Sequence, residues 1–564
     1  MSGNTHRWAP NEFLASLTDP GGPFEVVDEV VLGTPIMVFR QRPPNLPAVL
    51  RAAAERSPEL PYLVFPDRTL TYGDTVASVA RVAARLRDLG VGPGDRVAVA
   101  SANVASYVVA WWATVSLGGI VSGLNGWWSP TELVQGIEVC APTLVLADER
   151  RLERLREGNL PDGPVVVDLA DLDPLLGPAR PDDPAPPDVA IDEDDPAIIL
   201  FTSGTTGRAK GATLSHRSLV HSPMVAALQG AMGVLVAELM GTAPEPSELP
   251  RPQPSTLLAA PLFHVSGTLP LVAAPVAGTK VVFPPLGPWD ELVHLQLTEE
   301  HAIAGWSGVP AQFWRLLEHP RFDEFDTTSI ATIGGGGAVF SPELFALMAR
   351  KLPNARIGAG YGMSETFGSG ARLGGITLET HPASVGLVEP LCELEIRGTL
   401  GEVLPDGEIG EICVRGASVF LGYWGDPAAT AEALDEQRWY RTGDFGRFTD
   451  GVLQLESRMR DLIIRGGENV YPIEIETRLA EHPAVAEACV VGVPHHQLGQ
   501  EIAAVVVLRA GADLAPEDVK AWVADALAAF KVPSYVVFRD ELPYNATGKV
   551  VKRQVEEDVQ ATLS

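Results

Sequence analysis

Short apolar, β-branched runs alternate with longer Ala- and Leu-rich stretches through most of this 564-residue chain. The segment DRVAVAS (95–101) has the length and composition of a buried strand, whereas TYGDTVASVARVAARLRDLG (71–90) has apolar residues at helical spacing. Gly90, Gly92 and Pro93 are typical of the end of such a helix. Repeated strand–helix units predict an α/β fold, with mostly parallel sheets and helices on both faces.

The rest of the chain divides into recognisable regions. The runs PTLVLAD, AIILFTS, STLLAAP and TKVVFPP are predicted to be further buried strands. Pro-rich stretches at 174–196 and 241–254 are predicted to be surface loops, because proline interrupts helix and strand. After about Gly401 hairpin-like strands follow, and then an αβ segment with a helix around Lys520. We predict a large N-terminal domain (1–457), a hinge (458–461) and a C-terminal domain (462–564).

Composition narrows the class of protein. The formal net charge of −30 disfavours nucleic acid as a general partner, since such a surface repels phosphate backbones. The four cysteines form no CxxC or Cys/His cluster and are expected to be buried thiols in a reducing compartment. The N-terminus lacks a signal-peptide pattern. These features predict a soluble, cytoplasmic protein of unknown oligomeric state.

One uncharged stretch is long enough to span a membrane. No charged residue lies between Arg96 and Glu132. Asn103 and Asn125 dilute its apolar character, and Gly118-Gly119 interrupts it midway. A buried helix followed by a buried strand is therefore the favoured interpretation, and no integral membrane span is expected.

The segment AIILFTSGTTGRAKGATLSH (197–216) carries the most chemical information. An apolar strand leads directly into a run of glycines and hydroxyls, 202–207, which is followed by Lys210. Glycines let backbone N–H groups converge on one point, and the lysine adds a cation, so the run suits a di- or triphosphate. It is not a Walker P-loop, because Lys210 follows Ala209 rather than glycine.

TSGTTGRAKG resembles the phosphate loop of the acyl-adenylate-forming superfamily, the AMP-dependent synthetases and ligases that include acyl-CoA synthetases. Similar motifs follow in the family's order: PLFHVSG, IGGGGAVF, GAGYGMSET, YRTGD, SRMRDLIIRGGENVYPIEIE, FKVP and LPYNATGKVVKRQ. The chain departs mildly at Ala209 (usually Pro), Ser364 (more often Thr) and Ser457 (usually Gly). The resemblance is greatest to fatty-acyl-CoA synthetases. It implies stacked αβ sheets with a distorted β-barrel subdomain, and a small mobile α+β C-terminal domain.

The resemblance also assigns candidate residues. Lys549, His264 and Glu365 are the expected catalytic residues, and Glu365 is also the expected Mg²⁺ ligand. Arg460 is the expected hinge, and coenzyme A is expected near Gly466, Gly467 and Lys531. The implied ATP contacts are Thr202, Ser203, Gly204, Thr205, Thr206, Gly207, Lys210, Gly336, Gly337, Ala338, Tyr361, Gly362, Ser364, Asp444 and Arg458.

The acyl pocket is expected to be lined by His264, Trp306, Val309, Gly335 and Gly360. These mostly small residues leave room for a bulky or long apolar chain. No cationic residue in the stretches around them indicates a second carboxylate or phosphate on the substrate. NGWW (125–128) is either core or pocket rim, and core is favoured.

The implied reaction activates a carboxylic acid with ATP, releases pyrophosphate and transfers the acyl group to coenzyme A. The expected cofactors are therefore ATP, Mg²⁺ and coenzyme A, and the expected partner is a small carboxylic acid. Two alternatives stay open: the same adenylation with an amine or carrier-protein thiol as acceptor, or a non-catalytic nucleotide-binding homologue.

Overall fold

The computed structural model describes residues 3–10, 12–160, 163–202, 209–239, 241, 252–336, 340–458, 461–465, 468–495, 498–545 and 548–563. The α-helices of this part of the chain are α1 (Ala15–Thr18), α2 (Leu46–Arg56), α3 (Tyr72–Asp88), α4 (Ala105–Ser116), α5 (Pro130–Cys140), α6 (Glu149–Glu157), α7 (His216–Leu239), α8 (Val265–Ala277), α9 (Glu291–His301), α10 (Pro310–Leu317), α11 (Pro342–Lys351), α12 (Ile376–Thr380), α13 (Pro427–Ala433), α14 (Pro472–Ala480), α15 (Pro516–Ala526) and α16 (Lys552–Leu563).

The strands, in chain order, are β1 (His6–Arg7), β2 (Val26–Val31), β3 (Thr34–Phe39), β4 (Pro61–Val64), β5 (Thr69–Thr71), β6 (Arg96–Ala100), β7 (Ile120–Gly123), β8 (Leu144–Ala147), β9 (Val165–Asp168), β10 (Pro196–Thr202), β11 (Lys210–Ser215), β12 (Ser255–Leu257), β13 (Lys280–Val282), β14 (Gly305–Gly308), β15 (Thr332–Gly336), β16 (Arg356–Tyr361), β17 (Ala371–Gly374), β18 (Leu387–Val388), β19 (Cys392–Arg397), β20 (Gly410–Gly416), β21 (Gly422–Tyr423), β22 (Tyr440–Thr449), β23 (Val452–Arg458), β24 (Ile463–Arg465), β25 (Glu468–Val470), β26 (Val485–His495), β27 (Gly499–Leu508) and β28 (Tyr535–Arg539).

Two large sheets form the body of the molecule. One has the strand order β21-β11-β10-β7-β6-β8-β9 and the other β18-β17-β16-β15-β14-β12-β13-β4-β5. Both are parallel in the middle and antiparallel at an edge, as in the pairs β6–β7 (parallel) and β16–β17 (antiparallel). Helices α2, α3 and α4 contribute to the apolar cluster between them. The prediction of stacked, mostly parallel αβ sheets is confirmed.

Local sequence explains why helices begin and end where they do. The Thr71 hydroxyl accepts the backbone N–H of Asp74, whose side chain accepts the N–H of Thr71, so α3 begins with a capping box. Gly90 follows that helix with φ of +92°, a conformation that favours glycine. The uncharged stretch folds as the buried helix α4 and the buried strand β7, which confirms the favoured interpretation.

Antiparallel sheets make up the remainder. Strands β1, β19, β20, β22 and β23 form an open five-stranded sheet, which is the predicted barrel-like subdomain. In the C-terminal region β25, β24, β27, β26 and β28 form a mixed sheet that packs with α14, α15 and α16. The predicted αβ segment consists of a long β-hairpin, β26–β27, followed by helix α15, which contains Lys520.

The structure describes one of the two predicted Pro-rich loops in full and the other only in part. A 3₁₀ helix, Leu169–Leu175, includes Pro174, and no helix or strand follows before β10 begins at Pro196. Most of 241–254 lies outside the described residues.

Helix α7 is long and apolar enough to cross a membrane by length and composition, although 44% of its most apolar window is buried inside the protein.

Candidate active site

The glycine- and hydroxyl-rich segment joins two antiparallel strands. Strand β10 ends at Thr202, β11 begins at Lys210, and these two residues are partners in the β-ladder. Strands β10 and β11 are therefore adjacent and antiparallel, one strand in from the β21 edge of the first large sheet. The predicted phosphate contacts Ser203, Gly204, Thr205, Thr206 and Gly207 lie outside the described residues.

Glu365, the predicted metal ligand, lies beside the end of that strand pair. It belongs to a 3₁₀ turn, Ser364–Thr366, and is buried. Burial raises the pKa of the Glu365 carboxyl, and hydrogen bonds from Tyr423 and Thr202 partly offset this. The Tyr423 hydroxyl donates to Glu365 Oε1 at 2.9 Å, and Lys210 Nζ lies 5.0 Å from the centre of the Tyr423 ring.

This arrangement fits a divalent cation that is shared with phosphate oxygens. A buried carboxylate is stabilised by a nearby positive charge, and Mg²⁺ is usually held by one or two carboxylates together with phosphates and water. Among the described residues no group of three or more His, Cys, Asp and Glu side chains could hold a metal by itself. A Mg²⁺ ion at Glu365 would therefore depend on a bound nucleotide.

A second acid, Asp444, lies on the neighbouring antiparallel sheet. It is buried, its backbone N–H donates to Thr442 Oγ1 at 3.0 Å, and Tyr361 Oη donates to its Oδ2 at 3.1 Å. Tyr361 is the last residue of β16, so this hydrogen bond joins the second large sheet to β22. Asp444 is paired in the β-ladder with Arg458, whose side chain lies outside the described part of the chain.

The other predicted nucleotide contacts surround Tyr361. Gly336 is the last residue of β15, and Gly362 approaches Gly368 so closely that a Cβ would lie 2.3 Å from its carbonyl carbon. Ser364 is buried at the start of the 3₁₀ turn. Gly337 and Ala338 are outside the described residues. The predicted nucleotide wall is thus made largely of closely spaced backbone segments.

His264 is fixed in one orientation by its neighbours. It caps the N-terminus of α8, and its Nδ1 accepts the backbone N–H of Ser266 at 3.2 Å. Burial, and then the positive charge of Lys549, lower the pKa of His264 to about 4. The imidazole is therefore neutral at physiological pH, and its proton is on Nε2 because Nδ1 accepts a hydrogen bond.

Lys549 approaches this site from the C-terminal region. It lies on a turn in which its backbone N–H donates to Asn545 Oδ1 at 3.0 Å and its carbonyl accepts the N–H of Asn545 at 2.8 Å. Gly548, with φ of +77°, contacts the pocket wall, where a Cβ would lie 2.7 Å from Val309 Cγ2. Lys549, His264, Glu365, Asp444 and Lys210 all line one cleft of about 4010 Å³.

A further contact joins the two regions at the border of the cleft. The Arg509 guanidinium lies 4.7 Å from the centre of the Trp314 ring on α10, and its Nη1 is 3.3 Å from Glu318 Oε1. Arg509 directly follows β27 of the C-terminal sheet. The structure therefore has the C-terminal region closed against the acyl side of the cleft.

The predicted acyl-pocket residues do not all lie on the same face of the sheet. Trp306 pairs with Ile333 in the β-ladder, and both belong to the apolar cluster behind the sheet, where Trp306 Nε1 donates to Thr298 Oγ1 at 2.9 Å. Gly335 approaches Gly308 so closely that a Cβ would lie 1.8 Å from its carbonyl oxygen. Gly360 instead faces open space, since a Cβ there would meet nothing closer than 3.9 Å.

The stretches predicted to line the acyl pocket contain no cation, but two arginines outside those stretches border the same cleft. Arg356 and Arg372 both line the cleft, on strands β16 and β17. Sequence analysis missed them because neither lies in a recognised motif. The favoured core assignment of NGWW is wrong for Trp127, which is 56% exposed and packs edge-on against Phe263 at the rim.

Of the three predicted coenzyme A contacts, only Lys531 belongs to the described residues. Gly466 and Gly467, and the predicted hinge residue Arg460, are outside the described part of the chain. Lys531 is part-buried and forms an ion pair with Glu474 at 2.6 Å. It does not line the cleft that contains Lys549. Tyr423 is an additional site residue that sequence analysis missed, since FLGYWG carries no catalytic pattern.

Comparison with known proteins identifies the architecture. Residues 50–424 match the AMP-binding enzyme family, and residues 474–549 match the AMP-binding enzyme C-terminal domain. The chain is 32% identical to feruloyl-CoA synthase from Amycolatopsis sp. over 510 residues, which are 89% of this chain and 96% of that protein.

Two solved structures extend this likeness to the whole fold. ATP-bound MatB from Rhodopseudomonas palustris has a TM-score of 0.79 at 28% identity, covering 92% of this chain and 100% of that one. The amide bond synthetase McbA from Marinactinospora thermotolerans has a TM-score of 0.77 at 27% identity, covering 91% and 99%. This chain therefore belongs to the AMP-binding enzyme family and is an adenylate-forming ligase of the acyl-CoA ligase type.

Proposed function

We propose that this enzyme converts a carboxylic acid and ATP into an acyl-adenylate and pyrophosphate, and then transfers the acyl group to coenzyme A with release of AMP. The observation that carries the proposal is the position of the Lys549 turn. It lies beside His264 in a cleft that also contains Lys210, Glu365 and Asp444.

In the first half-reaction a carboxylate oxygen attacks the α-phosphorus of ATP, and the bond to pyrophosphate breaks. Two anions must approach each other, so the main requirement is positive charge and correct positioning. The Lys549 ammonium would neutralise the α-phosphate and the carboxylate. The neutral His264 would border the acid with its Nε2–H, and Asp444, oriented by Tyr361, would accept the ribose hydroxyls.

The departing pyrophosphate would be held at the other end of the cleft. Lys210 and the segment 202–207 would supply cationic and backbone donors. Mg²⁺, held by Glu365 and phosphate oxygens, would neutralise charge on the departing group. The Tyr423 hydroxyl keeps the Glu365 carboxyl in position for that role.

In the second half-reaction a thiol attacks the acyl carbonyl and AMP leaves. We propose that residues 462–564 move as a C-terminal domain about a hinge at 458–461, which withdraws Lys549 and brings Gly466 and Gly467 to the acyl group. The separate family matches on either side of residue 458 support this division. Lys531 would bind the nucleotide of coenzyme A only after its ion pair with Glu474 opens.

A second candidate keeps the first half-reaction and changes the acceptor to an amine. The similarity to the amide bond synthetase McbA favours testing it, because that structure has the same overall fold. The two candidates share every residue discussed above for adenylation. They differ only in the molecule that attacks the adenylate.

One assay separates these candidates. The enzyme, ATP and Mg²⁺ are incubated with a panel of carboxylic acids and either coenzyme A, an amine or no acceptor, and pyrophosphate, AMP and product are measured. The proposal predicts acid-dependent pyrophosphate release and a thioester product. An amide product would favour the second candidate. No acid-dependent pyrophosphate with any acid would favour a non-catalytic homologue.

A cytoplasmic location is part of the proposal. All four cysteines, Cys140, Cys392, Cys413 and Cys489, are buried as free thiols. Free cysteines fit a reducing compartment, where ATP and coenzyme A are also found.

A further inference from the structure

On the side of the cleft proposed to bind the acyl group, one face of the sheet carries mostly small residues. Along β16 the side-chain positions of Arg356, Gly358 and Gly360 share a face, because alternate residues of a strand point the same way. Their ladder partners on β15 are Thr332, Gly334 and Gly336, which therefore lie on that face too. The opposite face carries Ile357 and Leu373, which pack into the apolar cluster behind the sheet.

Helix α7 packs over this face of the sheet, and the helix also has small residues on one side. Ala226, Gly230 and Gly233 are spaced by four and three residues, so they lie on one side of the helix. A Cβ at Gly230 would meet nothing within 4 Å, and a Cβ at Gly233 would lie 2.9 Å from Arg356 Nη1. The space between helix and sheet is therefore a slot, with Arg356 at the end where α7 passes over β16.

Arg356 is at the far end of this slot from the nucleotide. It begins β16, whereas Tyr361, the residue bonded to Asp444, ends it. The four residues from Arg356 to Gly360 span about 13 Å at about 3.3 Å per residue. An acid whose carboxylate is at Gly360 and His264 would therefore point its other end along the slot toward Arg356.

The guanidinium of Arg356 differs from that of Arg372 on the same face. Arg372 Nη1 donates to Gln229 Oε1, and Arg372 is close enough to the buried Glu389 to stabilise its charge. Arg356 is exposed to the cleft, and its guanidinium has no hydrogen bond or ion pair with any of the residues that the structure describes. It is a cation in a slot whose other walls are mainly glycine.

We propose that Arg356 determines specificity by binding a second acceptor oxygen, a carboxylate or a ketone, at the far end of the acid substrate. The inference rests on the proposed function, since it deepens the identity of the activated acid. A fully apolar chain would lie against the guanidinium and remove water from it without replacing the lost hydrogen bonds, which is unfavourable. A substrate oxygen would replace them with charge-assisted hydrogen bonds.

The test compares acids that differ only at their far end. Linear monocarboxylic acids from hexanoic to dodecanoic acid are each matched with the α,ω-dicarboxylic acid and the terminal methyl-ketone acid of the same length. The kcat/KM of pyrophosphate release is measured for wild-type enzyme, Arg356→Met, Arg356→Lys and Arg350→Met. Arg350 is a suitable control because it is exposed on α11 and does not line the cleft.

The expected result is a wild-type preference of about tenfold to a hundredfold for an oxygen-bearing acid at one or more lengths. Arg356→Met should abolish that preference, Arg356→Lys should retain part of it, and Arg350→Met should retain all of it. The dicarboxylic and ketone series then show which oxygen is preferred.

Three results would overturn the inference: no preference in the wild type, a preference that survives Arg356→Met, or one that Arg350→Met removes equally. If wild-type enzyme releases no pyrophosphate with any acid, the proposed function itself fails. In that case calorimetry measures the affinities of decanoic and decanedioic acids for the wild type and for Arg356→Met. A tighter binding of decanedioic acid that Arg356→Met abolishes would support the inference, and its absence or its survival in Arg356→Met would overturn it.

Discussion

The two ends of the cleft are built differently. At the nucleotide end, side chains orient one another: Tyr361 donates to Asp444, and Tyr423 donates to Glu365 beside Lys210. At the acyl end, glycines of β15, β16 and α7 leave a slot, and Arg356 has no fixed partner among the described residues. We propose that hydrogen-bonded side chains at the nucleotide end and an open slot at the acyl end let one reaction be combined with different acids.

The largest effect on pyrophosphate release is expected from removing the charge of Glu365 at the nucleotide end of the cleft. Glu365→Gln keeps the shape of the side chain and removes the negative charge that would hold Mg²⁺. We expect pyrophosphate release to fall by about a hundredfold to a thousandfold in kcat, comparable to the loss of one electrostatic group in other active sites. Measurements at saturating acid and Mg²⁺ check this.

Tyr423→Phe is the matched variant for that experiment. It removes the hydroxyl that donates to Glu365 and keeps the ring beside Lys210, so we expect a smaller loss of about tenfold. Unchanged kcat in Glu365→Gln, with the folded state intact, would contradict the role of Glu365.

An intermediate effect is expected from narrowing the acyl slot. Leucine at Gly230 would extend into open space and is a better helix former than glycine, so Gly230→Leu should not destabilise α7. We expect kcat/KM for bulky acids to fall by about tenfold to a hundredfold. The kcat/KM for acetate should stay at the wild-type value. The pyrophosphate assay with graded acids measures both.

Gly230→Ala is the control for the slot, because one methyl group adds little volume and also improves helix propensity. Equal losses for acetate and for bulky acids in Gly230→Leu would show that the helix, rather than the slot, was disturbed.

The smallest effect should come from the contact that joins the two regions. Arg509→Ala removes the ion pair with Glu318 and the contact with the Trp314 ring. The ion pair and the ring contact each contribute about 1 kcal/mol or less of stabilisation at the surface. We therefore expect adenylation to slow by about twofold to tenfold. Thioester formation from supplied acyl-adenylate should not slow, because that step needs the contact to open.

Lys520→Ala is the control for charge loss in the C-terminal region. Lys520 pairs with Glu517 within α15 and forms no ion pair or hydrogen bond with the N-terminal region among the described residues. If Arg509→Ala slowed both half-reactions equally, the contact would not favour the adenylating arrangement.

The contrast between the ends also explains what the sequence could predict. Strand β6, helix α3 and strand β10 have short-range patterns, so they were predictable from periodicity. Glu365, Asp444 and Lys549 were predicted from motifs that resemble those of the family.

The acyl end was harder to predict for a physical reason. Gln229, Gly230, Arg356 and Arg372 come together only through the packing of α7 on β16 and β17. Strand alternation also decides which residues of a glycine-rich run face the substrate. Trp306, for example, is packed in the apolar cluster behind the sheet and also borders the cleft.

The central claim is that Lys549 acts in adenylation only. Its turn contacts Val309 and its charge lowers the pKa of His264, so in this arrangement it is at the acid-binding end of the cleft. The most direct measurement compares the two half-reactions in Lys549→Ala. We predict that acid-dependent pyrophosphate release falls by about a hundredfold or more, whereas thioester formation from supplied acyl-adenylate stays within about twofold of wild type. Equal loss of both half-reactions, or normal pyrophosphate release, would contradict this account.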